Sequence, residues 1–217
     1  MIRLTAFRWV PPFAAGLVRD LRVRWALEEA GIAYEERLIG QGDQDTPEYR
    51  ALQPFGQVPV LEEGGLTIFE SGAILLHIAE RSDVLLPRDP AGRANAIQWV
   101  FAALNSIEPH VQNLALIDLF YANEEWAKLR RPSAVQMVEK RLDELATWLG
   151  GREWLEDRFT AGDLLMGSVL RILRHTELVA ARPTLEAYRL RCEARPAFQK
   201  ALADQLAPFA KYAPPGA

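Results

Sequence analysis

The sequence predicts an α/β domain followed by an all-helical domain, and three observations carry that expectation. Short β-type runs alternate with helical periodicity as far as residue 81, a stretch bearing two prolines at 82–91 breaks the pattern, and beyond it helical periodicity recurs without a strand-like run. The expected partition is 1–81, a linker at 82–91 and a helical domain over 92–217. With 217 residues, 49% hydrophobic and 25% charged, the chain has ordinary globular composition and ample length for a core.

Ile2–Phe7 is a short apolar run and reads as the first strand. After a proline-rich loop, Leu17–Ala30 places Leu17, Leu21, Trp25 and Glu28 three and four residues apart, a helix closed by Gly31. Ala33–Ile39 reads as a second strand. Thr46 ahead of Pro47 predicts a capped short helix over Pro47–Leu52. Val58–Glu62 and Leu66–Phe69 flank Glu63-Gly64-Gly65 as a hairpin, and Glu70–Arg81 follows as a helix with Ile74, Leu75, His77 and Ile78 on its apolar faces. Asp89 before Pro90 marks the next helix start. Helical periodicity then runs over 91–123, 133–149, 160–175, 183–195 and 196–206, and Pro109 is expected to bend the first of these. No internal repeat is visible.

The exclusions are as informative. A single cysteine, Cys192, rules out an internal disulfide framework, a multi-cysteine zinc site and a CxxC redox pair, and points to a cytoplasmic protein. Net charge is −4, and residues 1–81 hold eight Arg, no Lys and twelve acids, so no basic stripe is expected to meet nucleic acid or an anionic membrane. Arg3 and Arg8 interrupt any signal-like apolar start, and no run approaches a membrane span. His77, His110 and His175 are scattered, so no metal site is expected.

The segments Leu52–Leu61 and Phe69–Ile74 carry the most chemistry. A proline opening a strand is expected at a sheet edge, because it cannot donate to a ladder. A cis Val58–Pro59 bond would turn the Val58 amide and carbonyl outward for an extended peptide-like ligand. Glu70 and Ser71 fall at a helix N-terminus, where free amides and the Ser hydroxyl suit a carboxylate and Glu70 suits an ammonium group. From spacing alone the plainer alternative stays open: a trans Pro59 and a Ser71 that only caps its helix.

The string Phe55-Gly56-Gln57-Val58-Pro59-Val60-Leu61 with Glu70-Ser71-Gly72-Ala73-Ile74 resembles the glutathione-binding signature of the cytosolic glutathione S-transferases. Leu21–Ile32 is similar to the family's first helix. Thr160-Ala161-Gly162-Asp163 resembles the capping box that opens its sixth, a folding device expected to nucleate a core helix through Leu165, Val169 and Ile172. The resemblance spans essentially the whole chain and implies a thioredoxin-like domain followed by a helical bundle. It implies glutathione as co-substrate, held by Gln57, the Val58 backbone, cis Pro59, Glu70 and Ser71, and a homodimer in the cytoplasm with a role in detoxification.

The chain departs from the family where a Tyr, Ser or Cys usually follows the first strand. Arg8–Leu17 has no hydroxyl and no thiol, and Thr5 is the only hydroxyl before Tyr34. The expected substitute is a helix N-terminus at Gly16 and Leu17, whose backbone amides approach the sulfur, assisted by the charge of Arg19. The competing account has Arg19 and Arg22 solvated or paired with Asp20 and Glu28. Trp9, Val10, Pro12 and Phe13 form an apolar loop expected to wall a pocket for a small hydrophobic electrophile. Phe101, Asn105 and His110, with Glu108, Leu114 and Phe120, are expected opposite, or else as interhelical core or dimer contacts. The implied activity is attack of a glutathione thiolate on an apolar electrophile. The alternatives are a non-catalytic glutathione-binding or interaction module, and a glutathione-dependent peroxidase, isomerase or lyase.

Overall fold

Ile2–Phe7 forms β1, and it buries Ile2, Leu4, Thr5 and Ala6, as a central strand covered on both faces should. A computed structural model describes residues 1–214. Along the chain follow α1 (Asp20–Ala30), β2 (Tyr34–Ile39), a 3₁₀ turn at Asp43–Asp45, α2 (Pro47–Arg50), β3 (Val60–Glu63), β4 (Leu66–Phe69) and α3 (Ser71–Ala79). Then come α4 (Pro90–Phe101), α5 (Glu108–Leu119), α6 (Glu125–Leu149), α7 (Ala161–Leu170), α8 (Pro183–Glu193) and α9 (Pro196–Lys211). The chain divides into two units, Met1–Leu85 together with the chain from Arg195 onward, and Leu86–Ala194.

In the first unit the sheet order is β2-β1-β3-β4, with β1 and β2 parallel and the other pairs antiparallel. The predicted mixed α/β domain is therefore present. Gly64 and Gly65 both take positive φ, 57° and 89°, as a two-residue hairpin turn between β3 and β4 requires. Pro59 does not sit at an edge, because β3 lies between β1 and β4. It is tolerated because ladder pairing starts one residue later, at Val60 opposite Thr5 and Phe69.

Helix α1 starts three residues later than Leu17. The Ala14, Ala15 and Leu17 amides close successive turns on Pro11, Pro12 and Ala14, and Gly16 at φ 74° leaves the right-handed region. At the other end the expected Gly31 terminator holds, at φ 65° with the Ile32 amide on the Leu27 carbonyl at 2.9 Å.

The last helix departs from the expected partition. α9 packs on α1 within the first unit instead of joining the helical one. Phe198 meets Trp25 edge-on at 4.9 Å, Gln205 Nε2 donates to Asp20 at 2.7 Å and to the Val18 carbonyl at 3.1 Å, and Arg195 forks onto Glu29 at 2.5 and 2.7 Å. A local reading of periodicity has no access to pairings 166 to 187 residues apart in sequence.

The second unit is helical throughout its described elements. Ahead of Pro109 the chain widens into a π-type stretch over Ala102–Ile107, which relieves the clash of the proline ring with the preceding turn. The break expected before Ser133 is absent: Pro132 lies inside α6, on an exposed run where the carbonyl it leaves unpaired can bond water. The expected capping box opens α7. Thr160 Oγ1 accepts from the Gly162 amide at 3.2 Å, and buried Asp163 accepts from the Thr160 and Leu155 amides and the Tyr188 hydroxyl, each at 2.9 Å. Leu165, Val169 and Ile172 are all buried behind it, and Cys192 is buried near the Asp163 carbonyl.

Candidate functional site

Register alone gathers the predicted residues of the first unit. Val60 pairs with Phe69 at one end of the β3–β4 ladder, so Gln57-Val58-Pro59 arrives where Glu70-Ser71 departs. Thr5 also pairs with Val60, so β1 runs out toward the same end and delivers the loop 8–19 there. Thr5 is fully buried in the sheet and its hydroxyl has no partner, so it is not presented to this end.

The Val58–Pro59 bond is cis, and among the described residues the Val58 amide and carbonyl are in no ladder or turn. The segment rests on a small apolar floor of Ile39, Tyr49, Val58 and Val60, with Phe7, Val18, Leu52 and Phe69 against it. Tyr49 fixes it further by donating its hydroxyl to the Gln57 carbonyl at 2.7 Å, and burial pushes its phenol up to about 12. Gln57 itself is exposed.

Glu70 turns the chain from β4 into α3. It is the one non-glycine among the described residues with positive φ, 70°, and its side chain is exposed. It makes no side-chain cap, although its carbonyl accepts from the Ile74 amide at 2.9 Å, so the first-turn amides of α3 are left for a ligand. Ser71 is the first residue of α3, and Arg22 on α1 donates to its hydroxyl oxygen through Nη1 at 3.3 Å. An exposed carboxylate beside a hydroxyl on a helix N-terminus matches the ammonium and carboxylate of an α-amino acid head.

The expected thiol-activating elements fare differently. The Leu17 amide is taken by the Ala14 carbonyl at 2.9 Å and lies outside α1, so it does not act as an open helix-end donor. The N-terminus of α1 already holds a carboxylate, Asp20, which is 1% exposed and accepts from Arg24 at 2.8 Å and Gln205 at 2.7 Å. Burial raises the Asp20 carboxyl while Arg24 opposes the rise. Gly16 is buried, and Arg19 is the half-buried residue preceding α1. The pairing of Arg19 and Arg22 with Asp20 and Glu28 is replaced by others. Asp20 takes Arg24, and Glu28 takes Lys200 at 3.0 Å.

Of the expected pocket wall, Pro12 and Phe13 are exposed and Trp9 is half-buried, whereas Val10 is 5% exposed and belongs to the core. In the second unit Phe101, Asn105 and Phe120 are exposed and His110 is half-buried, while Glu108 and Leu114 are buried among the helices. Two residues at the first unit's site escaped sequence reasoning, Tyr49 and Arg22. The only signal for Tyr49 was a lone aromatic in a short capped helix. Arg22 looks like any polar residue of an amphipathic helix.

Residues 13–80 match the family described as glutathione S-transferase, N-terminal domain. The chain is 33% identical over 205 residues to glutathione S-transferase 4 of Zea mays, covering 82% of this chain and 85% of the relative. It is 29% identical over 194 residues to the disulfide-bond oxidoreductase YfcG of Escherichia coli (strain K12), covering 81% and 86%. Among solved structures, a glutathione transferase from Burkholderia graminis with two glutathione molecules bound per subunit superposes with a TM-score of 0.81 at 31% identity, over 93% of this chain and 87% of that one.

Proposed function

The chain belongs to the glutathione S-transferase family, and from that premise we propose that its first unit binds glutathione and promotes attack of the thiolate on a small apolar electrophile. The observation that carries the binding site is the convergence of the Val58 backbone with Glu70 and Ser71 at one end of the β3–β4 ladder. Val58 pairs with the peptide, Gln57 and Pro59 shape its path, Glu70 takes the γ-glutamyl ammonium, and Ser71 with the first amides of α3 takes the carboxylate. In the step itself the sulfur forms a bond to the electrophilic carbon and the leaving group departs with its electron pair. The thiol proton goes to solvent beforehand.

Arg19 supplies the positive charge that favours the thiolate, and Gly16 lets the backbone come close to the sulfur. Trp9, Pro12 and Phe13 give the electrophile apolar surface. A homodimer and a cytoplasmic, detoxifying role belong to the same proposal.

Calorimetric titration with glutathione in two buffers of different ionisation enthalpy tests this. Binding with proton release is expected, and Arg19→Met should diminish the release. Binding without release would leave a carrier, and no binding would end the assignment.

One observation favours a second reading. The loop 8–19 offers neither hydroxyl nor thiol, and a relative is named for disulfide-bond chemistry. In that reading two glutathione thiols pass two electrons and two protons to a substrate disulfide and leave as glutathione disulfide. Mass analysis of products separates the two, since only the first gives a thioether.

A further inference from the structure

Arg22 is 4% exposed, and through Nη1 it donates to Ser71 Oγ at 3.3 Å. A guanidinium can only donate, so the Ser71 oxygen accepts from Arg22, and its single proton is left to point elsewhere. Ser71 is also the first residue of α3, so no earlier turn of that helix offers a carbonyl to take the proton. What remains is the direction of the first-turn amides, out of the helix N-terminus and beside the Glu70 carboxylate.

We propose that Arg22 is a positioning residue for an α-carboxylate: it fixes the Ser71 hydroxyl as an acceptor on the protein side, so that its proton faces the ligand. This inference rests on the reading of the first unit as a glutathione site. The sequence of groups Arg22, Ser71, Glu70 then follows the order of charge in an amino acid head, carboxylate before ammonium. A residue on α1 thus contributes to a specificity that the ligand contacts on α3 express.

The test uses two probes, glutathione and its analogue γ-aminobutyryl-cysteinyl-glycine, which lacks only the α-carboxyl group. Wild type should prefer glutathione. Arg22→Met should weaken glutathione binding roughly 10- to 100-fold and leave the analogue nearly unchanged, so that the preference collapses. Arg22→Lys, which keeps a donor, should restore part of it, and adding Ser71→Ala to Arg22→Met should cost little more. Equal weakening of both probes would reduce Arg22 to a structural role and overturn the proposal, as would an unaltered preference. If Arg22→Met does not fold, guanidinium nitrogen resonances of the wild type decide. An Arg22 signal that moves with glutathione and not with the analogue supports the proposal, and one that moves with both or neither overturns it. Failure of wild type to bind glutathione at all would remove the underlying reading as well, which sets that outcome apart from the others.

Discussion

The Tyr49 hydroxyl donates to the Gln57 carbonyl over 2.7 Å and so ties α2 to the segment that enters β3 through Pro59. Tyr49 is buried on the floor of that segment, so its ring packs while its hydroxyl holds the chain. Tyr49→Phe keeps the packing and deletes the bond. A loss of about 1 kcal/mol in urea unfolding is expected, with a several-fold weaker glutathione complex. A variant as stable and as avid as wild type would show that the floor alone places Gln57.

Glu70 combines an awkward backbone with an exposed charge, and the two can be separated. Glu70→Gly removes the side chain at φ 70° and should raise stability by about 1 kcal/mol, net of the entropy glycine adds to the unfolded chain. The same change should weaken glutathione about tenfold, by loss of the ammonium partner. Thermal melts and calorimetry on one preparation read both. Greater stability with undiminished affinity would strip Glu70 of its role.

Asp163 serves four donors at once inside the helical unit, the Leu155 and Thr160 amides and the Thr160 and Tyr188 hydroxyls. Asp163→Ala takes this acceptor from all four, and a loss of about 3 kcal/mol or more is expected. Thr160→Ala removes the cap and the one hydroxyl bond to Asp163, keeps the two amides and the Tyr188 hydroxyl on that carboxylate, and should cost about 1 kcal/mol. Denaturant midpoints of the two variants would be equal if Asp163 did no more than cap.

Glu63 at the end of β3 accepts from Arg81 and from His77 Nε2 at 3.0 Å, and these bonds hold its carboxyl down at about 2. Its folded value lies below its unfolded one, so its contribution is complete above the ordinary carboxylate range and is lost as pH falls toward 2. Glu63→Gln should flatten this part of the stability profile between about pH 5 and 2, by no more than about 1 kcal/mol because the group is partly exposed. Parallel acid titrations of wild type and variant would show it. An identical slope would place the acid sensitivity elsewhere.

Local rules carried most of the fold. Strand ends, the Gly64-Gly65 turn, the Asp89-Pro90 start and the Thr160–Asp163 box each depend on residues within a few positions of one another, and a sequence displays these directly. The juxtaposition of the candidate site residues was legible for the same reason: Val58, Pro59, Glu70 and Ser71 lie on two segments that one hairpin brings side by side. The errors share a cause. Leu17 reads as helical until the turns on Pro11, Pro12 and Ala14 claim its neighbours, and Val10 reads as surface until packing buries it. Arg22 has apolar and charged neighbours in sequence alike, and only the approach of α1 to α3 gives it Ser71.

The return of α9 to α1 has a consequence for how the protein is made. Synthesis releases β1 through α3 first, but Asp20 then lacks Gln205, Glu29 lacks Arg195, and Trp25 lacks the ring of Phe198. Those partners emerge only after the whole helical unit has left the ribosome, so domain-by-domain folding from the N-terminus completes the helical unit before the unit it interrupts. The part of the molecule translated earliest is finished last, and a chain stopped short of residue 195 carries the Ser71 segment on an incomplete scaffold.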